Sequence, residues 1–461
     1  MKRIALIIAG ILFTAIATGL IWLNTSVYGR IYLPSGTGIT AKQLCSLQWV
    51  SGLSQERARA LYLDPLLGDV ADLLSVHVDA EVKEVRTSIF GLWRQHAIYR
   101  DGLGCTLVHD ANQFDAELSL PPARAHQPLT LNADHRDAHF DTNMLHAAIA
   151  DAFAEPINTL AVAVLHEGRL VADAYATDIS ADSPLHGWSM TKSAMATLAG
   201  VMVERGEVDM FAEGRITELM EVDPSYADVT LDSLLRMAGG FAIAETNTGT
   251  DPNSDMLFTE ADMPRFAATR ERLHPPGAHW QYMSGNTILA TRTMQDELGD
   301  TVADQVAGLR ERLFEPLGIY SAIMELDQTG TFQGSSYMYA TAHDWARLAQ
   351  FQLDTVSPDG EIRLPDGWYD YVATPTPTSD GMYGVGFWTN DDGLPDNTVR
   401  MSGFQGQWAY IIPSHDLVVV RLGATNYRND RARNLAGAVL EAMREEEAAI
   451  DVQAEDAAEP Q

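Results

Sequence analysis

Two β-hairpin patterns lie far apart in this chain, and together they limit how it can fold. Apolar runs at 160–165 and 170–175 flank one short turn, and runs at 408–413 and 417–422 flank another. Such runs, separated by turn residues, predict strands. Helices are predicted between the two hairpins. We therefore expect an α+β domain over residues 140–446, with an antiparallel sheet built from both of its ends and flanked by helices.

One predicted helix begins with a serine and a lysine three residues apart. The predicted helices are 141–153, 189–205, 231–237, 287–298 and 430–447. Residues three apart share a helix face, so the Lys192 amine can lie beside the Ser189 hydroxyl. Serine is a weak nucleophile until a base takes its proton, and a helix N-terminus favours a developing anion. This pair predicts an acyl-transfer site, although a chance serine and a surface lysine remain the alternative.

The scarcity of lysine favours the chemical interpretation. The chain has 31 Lys and Arg residues, and its lysines are Lys2, Lys42, Lys83 and Lys192 alone. Arginine cannot be deprotonated in a protein, whereas the pKa of a buried lysine shifts readily. We expect Lys192 to be the only amine side chain available to the large domain.

Two further stretches offer partners for the serine. Tyr282, Ser284 and Asn286 lie beside a predicted helix start. A neighbouring ammonium would make the Tyr282 phenol easier to ionise, which predicts a role in proton transfer; a buried tyrosine satisfied locally is the alternative. The glycine-rich stretch 402–408 would let an edge strand approach a ligand and offer it a backbone N–H, although it could be an ordinary turn.

With these motifs in this order, residues 140–445 resemble the penicillin-recognising serine hydrolases. The likeness is to class C β-lactamase-like esterases and amidases, and most of all to the 6-aminohexanoate-dimer hydrolase branch. It rests on Ser189 to Lys192, Tyr282 to Ser284 and the glycine-rich stretch, with support from 234–240 and 334–347. The resemblance implies a β-lactamase/transpeptidase-like fold and an acyl-enzyme mechanism without cofactor or metal.

The resemblance also implies roles for individual residues. The backbone N–H groups of Ser189 and of a residue near Gln407 would form an oxyanion hole. Ser284 or Asn286 would orient the proton shuttle or the substrate. The implied site consists of Ser189, Lys192 and Tyr282 for catalysis, and Ser284, Asn286, Gln405, Gly406 and Gln407 for substrate or oxyanion binding.

The third motif departs from the family pattern. It is usually Lys-Thr-Gly or His-x-Gly, but Phe404 to Gly406 take these positions and no lysine follows Lys192. This argues against β-lactam hydrolysis and favours a small ester, amide or peptide-like substrate. The alternative is a catalytically silent, penicillin-binding-like protein that binds or senses cell wall. A Ser-His-Asp hydrolase would need Gly-x-Ser-x-Gly, and residues 187–191 lack the second glycine.

The N-terminus predicts a membrane anchor. Two basic residues precede Ile4–Leu23, an uncharged run long enough to cross a bilayer. We expect residues 1–25 to be a signal anchor that places the body outside the cytoplasm, in the periplasm if the cell is Gram-negative. The alternative is a signal peptide cleaved after Ala15–Ala17, which would release a secreted protein.

A small α+β module is predicted over residues 26–125, without chemistry of its own. Its expected parts are a polar spacer to Gly38, helices 42–50 and 54–64, and strands 74–79 and 97–100. In an oxidising compartment Cys45 and Cys105 predict a disulfide; two unpaired buried thiols are the alternative.

The remaining segments are expected to be extended or disordered. Residues 121–139 predict a linker whose histidines, His126, His135 and His139, would be exposed to solvent rather than ligate a metal. The acidic tail 447–461 predicts disorder. The net charge of −32 argues against nucleic-acid partners and anionic lipid surfaces.

Overall fold

The computed structural model describes residues 2–118, 120, 123–389, 393–426 and 433–444. Its strands are β1 Leu74–Asp79, β2 Glu84–Ile89, β3 Leu92–Arg100, β4 Gly104–Leu107, β5 Thr159–His166, β6 Arg169–Tyr175, β7 Leu185–His186, β8 Ile323–Met324, β9 Met338–Ala340, β10 Trp388–Thr389, β11 Val399–Gly403, β12 Gln407–Ile412 and β13 Leu417–Gly423. Its helices are α1 Lys2–Thr25, α2 Leu33–Trp49, α3 Gln55–Ala58, α4 Asp64–Leu67, α5 Ala133–His139, α6 Thr142–Ala152, α7 Met190–Glu204, α8 Thr217–Val222, α9 Leu231–Leu235, α10 Pro252–Thr259, α11 Met263–Ala268, α12 Ser284–Asp296, α13 Val302–Leu309, α14 Ala342–Asp354, α15 Trp368–Ala373 and α16 Leu435–Glu441.

One antiparallel sheet joins the two ends of the large domain, which confirms the predicted α+β architecture. Its strand order is β10-β11-β12-β13-β5-β6, and β13 pairs with β5 so that Val419 lies opposite Val164. Both central strands are buried along their whole length. Apart from Thr159, His166 and Arg421 they are apolar, as expected for strands covered on both faces: α6 and α16 pack on one face and α14 on the other.

The predicted helices of the large domain are present, with small shifts at their ends. Asp141 caps α6, because its carboxylate accepts hydrogen bonds from the backbone N–H groups of Asn143 and Met144. The helix that carries Lys192, α7, begins directly after Ser189. The predicted helix 430–447 is described only over Leu435–Glu441, and the tail 447–461 lies outside the described residues.

The N-terminal part forms a four-stranded antiparallel sheet in the order β1-β2-β3-β4. The two predicted strands fall in β1 and β3, while β2 and β4 were not predicted. The expected polar spacer is wrong, because α2 begins at Leu33 and is buried from Ser35 to Leu47. This helix packs against β2, β3, β4 and α10, and it shares one continuous core with the large domain.

A buried ion pair connects α2 to the large domain. The Lys42 amine bonds to the Glu325 carboxylate and to the Cys105 carbonyl, and neither charged side chain is exposed (0%). The Ser46 hydroxyl donates a further hydrogen bond of 2.8 Å to Glu325. The expectation that Lys192 is the only amine reaching the large domain is therefore wrong, because the packing of α2 cannot be read from a lysine count.

The predicted disulfide is confirmed. Cys45 of α2 and Cys105 of β4 are bonded, with their Cα atoms 6.0 Å apart. The bond fastens the buried helix to the edge of the small sheet, next to the Lys42–Glu325 pair.

The first helix, α1, covers most of the predicted anchor. Within the described residues, no helix taken singly has the length and apolar character to span a bilayer. Two consecutive helical segments, Gly10–Leu23 and Tyr28–Trp49, have that length and apolar character only when taken together. The angle between them is 68°. The anchor therefore stays a prediction.

The linker histidines are not exposed as expected. His126 lies 3.4 Å from the Asp344 carboxylate, and the His135 side chain is only 8% exposed. His135 belongs to α5, which Asn132 caps by accepting its backbone N–H at 3.0 Å. The expectation was wrong because a short capped helix packs against β6 here, and its two turns are too short for a clear periodicity.

Candidate active site

A strained turn presents Ser189 at the start of α7. The preceding residue, Trp188, has a left-handed backbone (φ 47°), whereas Ser189 is already near helical geometry (φ −66°, ψ −6°). A non-glycine residue in this region costs roughly 1–2 kcal/mol, so the surrounding packing must hold it. The Trp188 indole is buried and donates a 3.1 Å hydrogen bond to Gln405. The turn thus fixes the serine hydroxyl at a cavity wall.

Lys192 is the candidate base for the Ser189 hydroxyl. Its Nζ atom lies 3.0 Å from Ser189 Oγ, 3.0 Å from Ser284 Oγ and 3.0 Å from the Ser335 carbonyl oxygen. The side chain is only 1% exposed. Burial lowers the pKa of Lys192 to about 8, with a smaller opposing effect from Glu245. A substantial fraction of the amine is therefore neutral near pH 8 and can accept the serine proton.

Ser284 connects Lys192 to a carboxylate that the sequence did not single out. Its backbone N–H and its hydroxyl donate to Glu245 Oε2 at 2.7 and 2.8 Å. The Ser284 hydroxyl can thus accept from Lys192 while donating to Glu245. No spacing signal could have found Glu245, because it lies in a loop and meets Ser284 only through the tertiary fold.

Tyr282 lies beside Ser189 and Lys192. Its ring centroid lies 4.9 Å from Lys192 Nζ, and its side chain lines the same cavity as Ser189. Burial, with the nearby Glu245 charge, raises the pKa of Tyr282 well above its usual value. The expectation of an easily ionised phenol is therefore wrong in direction: the hydroxyl stays protonated and is a hydrogen-bond donor.

Asn286 lies apart from these groups. It is fully buried in α12, and its Oδ1 stands 2.7 Å from where a Cβ on Gly239 would lie. It is not among the described residues that line the cavity. The structure therefore places Asn286 in the packing between α12 and the Gly239 turn.

The glycine-rich stretch reaches the site through other residues than those singled out from the sequence. The Gln405 amide donates to Tyr62 and Asn426 at 3.1 and 2.6 Å, while Gln407 bonds to Gly423. Gly406, with φ 80°, forms the turn between β11 and β12. None of these three lines the cavity.

Three residues at the end of β11 face the cavity instead. They are Ser402, Gly403 and Phe404. A Cβ on Gly403 would lie 2.1 Å from the carbonyl oxygen of Gly187, so only glycine lets the strand approach the Ser189 turn this closely. The residues that the resemblance implied for binding, Gln405 to Gln407, lie three positions further along the chain, in the turn that leads into β12 and at its first residue.

The cavity beside Ser189 has a volume of about 330 Å³, and its lining mixes apolar side chains with polar ones. Its polar wall includes Ser189, Glu245 and Tyr282, and none of the described residues that line it is basic. The N-terminal segment supplies a large part of the opposite wall through Tyr32, Ser35, Gly36, Ile39, Leu66, Leu67 and Val70. The segment expected to be an accessory module without chemistry of its own thus contributes to the wall of the cavity.

The family comparison agrees with this geometry. A beta-lactamase family model matches residues 146–444. The chain belongs to the beta-lactamase family. The resemblance inferred from the three motifs is thereby confirmed, together with a fold shared by serine hydrolases. The segment 26–125, which shapes one wall of the cavity of this beta-lactamase-family protein, lies outside the matched range.

Solved structures show the same fold at low sequence identity. A Bacillus anthracis protein assigned as a 6-aminohexanoate-dimer hydrolase is 19% identical, with a TM-score of 0.55, over 70% of this chain and 88% of its own. A penicillin-binding protein homolog from Caulobacter crescentus is 18% identical, with a TM-score of 0.51, over 68% of this chain and 100% of its own. A penicillin-binding protein from Bacillus halodurans is 14% identical, with a TM-score of 0.51, over 64% and 99%. Curated protein sequences gave no match.

Proposed function

We propose that this protein is a serine hydrolase that cleaves small esters or amides with apolar acyl groups through an acyl-enzyme on Ser189. The observation that carries the proposal is the 3.0 Å contact between Ser189 Oγ and Lys192 Nζ. A nucleophile within hydrogen-bond reach of a base with a pKa of about 8 is the arrangement that acyl transfer requires.

The proposed reaction begins with transfer of the Ser189 proton to neutral Lys192. Ser189 Oγ then attacks the substrate carbonyl, and the oxyanion is held by the backbone N–H groups of Ser189 and Phe404. Phe404 replaces the expected residue near Gln407 because it faces the cavity. Lys192 returns its proton to the leaving group as the C–O or C–N bond breaks. Water then loses a proton to Lys192 and attacks the acyl-enzyme. As the bond from the acyl carbon to Ser189 Oγ breaks and the acid leaves, Lys192 returns that proton to Ser189 Oγ.

Tyr282 acts in this scheme as a donor. Its hydroxyl, kept protonated by its raised pKa, gives its proton to the leaving group as the C–O or C–N bond breaks and takes the Lys192 proton in exchange. Ser284 lies between the Lys192 amine and the Glu245 carboxylate and forms a hydrogen bond with each.

The cavity wall supports the choice of substrate. Its apolar residues favour burial of an acyl chain, which gains about 0.8 kcal/mol per methylene. The Glu245 carboxylate on the polar wall disfavours a substrate carboxylate, and the described lining offers no cation to bind one. We therefore propose poor turnover of β-lactams. The disulfide also supports the proposal that the body lies outside the cytoplasm.

A panel of p-nitrophenyl esters from acetate to octanoate, with a chromogenic cephalosporin beside them, tests this function. We expect hydrolysis of the esters, with rates that rise with chain length, and little cephalosporin turnover. Ser189→Ala and Lys192→Met should each lose ester hydrolysis while keeping the circular dichroism of the unaltered protein. Undiminished hydrolysis by Ser189→Ala would refute the proposal, and the absence of any turnover would favour the silent binding protein.

A further inference from the structure

Three histidines converge at the end of the central sheet that lies away from Ser189. His135 and His139 come from α5, and His166 is the last residue of β5. One ring nitrogen from each lies within 4.8 Å of the other two. The ring centroids form a triangle with sides of 4.2, 5.0 and 4.9 Å. The three imidazoles therefore meet where α5 lies beside the end of β5.

A backbone contact fixes the tautomer of His139, and the other two histidines turn a ring nitrogen towards each other. His139 Nδ1 donates to the His135 carbonyl oxygen at 2.9 Å, so its Nε2 carries the free lone pair. His135 Nε2 and His166 Nδ1 face each other at 2.9 Å. A backbone carbonyl that fixes the tautomer of a histidine is the usual support behind a metal ligand.

The spacing is close to that of a tetrahedral zinc site. Zinc–nitrogen bonds of about 2.0–2.1 Å place two ligand nitrogens roughly 3.3 Å apart. The observed separations lie on either side of this value, between 2.9 and 4.8 Å, so small side-chain rotations suffice. His135 and His166 are 8% and 6% exposed, which limits competition from water.

A fourth ligand is at hand in Glu167. Its Oε2 lies 3.7 Å from His135 Nε2 and also pairs with Arg169 at 3.0 Å. Arg169 in turn contacts His135 Nδ1 at 3.1 Å. A metal on His135 Nε2 requires a proton on Nδ1, so the half-exposed Arg169 must swing into solvent. That movement frees Glu167 to ligate.

We propose that His135, His139 and His166 bind one Zn²⁺ ion, with Glu167 as the fourth ligand. The sheet register separates this site from catalysis: His166 lies opposite Leu417, whereas the Ser189 turn approaches the sheet at Gly403, which lies opposite Gln407 at the other end of β12. The ion closes a site with four protein ligands, which is the structural kind. It fastens α5 to the β5–β6 turn.

The test uses the full-length protein, stripped of metal with a chelator and desalted. Zinc is titrated in competition with a chromophoric chelator, and the unfolding temperature is measured with and without zinc. The variants are His139→Gln and Glu167→Gln. The matched control is His279→Gln, because His279 and His274 form an exposed histidine pair whose ring centroids lie 4.5 Å apart.

We expect one zinc per chain and a zinc-dependent rise in unfolding temperature for the unaltered protein and for His279→Gln. His139→Gln should bind more than tenfold more weakly and lose the temperature rise, while keeping its circular dichroism and ester hydrolysis. Cobalt in place of zinc should give the intense visible absorption of tetrahedral coordination. Absence of zinc binding, or equal binding by His139→Gln, would overturn the site; unchanged affinity in Glu167→Gln would overturn the fourth ligand.

Discussion

The Ser284 hydroxyl donates a 2.8 Å hydrogen bond to the Glu245 carboxylate, while its oxygen stands 3.0 Å from Lys192 Nζ. Glu245 is therefore connected to the proposed base, Lys192, through the Ser284 hydroxyl. Its negative charge raises the pKa of Lys192, against the larger lowering effect of burial. Ester hydrolysis requires neutral Lys192, so kcat/KM should rise with pH through an apparent pKa of about 8.

Replacing Glu245 by Gln removes a negative charge that favours the ammonium form. The pKa of Lys192 should fall, and the rising limb of kcat/KM should move to lower pH. A pH–rate profile measures the shift. Glu207→Gln is the control, since Glu207 pairs with Arg205 away from the cavity. A limb that moves to higher pH, or that stays in place, would contradict the assigned role of Glu245.

The Tyr282 hydroxyl can be removed without removing its ring. In Tyr282→Phe the ring contacts with Trp388 and Tyr383, at 5.2 and 5.6 Å, are retained. We expect kcat to fall by about a hundredfold or more, the usual effect of losing a proton donor. The limb near pH 8 should persist because Lys192 causes it. Disappearance of the limb would make Tyr282 the titrating group.

The wall formed by α2 predicts chain-length selectivity. Gly36 lines the cavity, and a Cβ there would make an ordinary contact of 3.8 Å with Val70. Gly36→Leu should fill the space without moving the helix, so hydrolysis of octanoate should fall about tenfold or more relative to acetate. Gly437→Leu, in α16, controls for the general effect of replacing a helical glycine. An unchanged octanoate-to-acetate ratio would show that acyl chains lie elsewhere.

The buried Lys42–Glu325 pair predicts a large effect on stability. Lys42→Met leaves Glu325 without its cation in an apolar setting, and we expect the free energy of unfolding to fall by about 3–5 kcal/mol in urea. The double variant Lys42→Met/Glu325→Gln should lose much less. Lys83→Met, which breaks an exposed pair with Asp101, should change stability by less than about 1 kcal/mol. Equal losses in the single and double variants would contradict this account.

The sequence predicted those parts of the fold that depend on local patterns. Alternating or continuous apolar runs located β5, β6, β12 and β13, and a capping aspartate located the start of α6. The Ser189–Lys192 pair was predictable because it lies within one helical turn. The disulfide followed from two cysteines in one segment.

The parts that were missed depend on contacts between distant segments. Glu245 contacts Ser284 although 39 residues of sequence separate them. The helix α2 lines the cavity although it precedes the large domain in sequence. The direction of the pKa shift of Tyr282 depends on burial and on Glu245, neither of which a motif contains. The histidine cluster needed His166, which lies in a strand 27 residues beyond His139.

The central claim is that Ser189 is a nucleophile activated by Lys192. Labelling with a fluorophosphonate, followed by mass spectrometry of the digested protein, tests it most directly. We predict one adduct per chain, located on Ser189, absent in Ser189→Ala and formed far more slowly in Lys192→Met. An adduct on another residue, or no adduct on a protein that hydrolyses esters, would contradict the account.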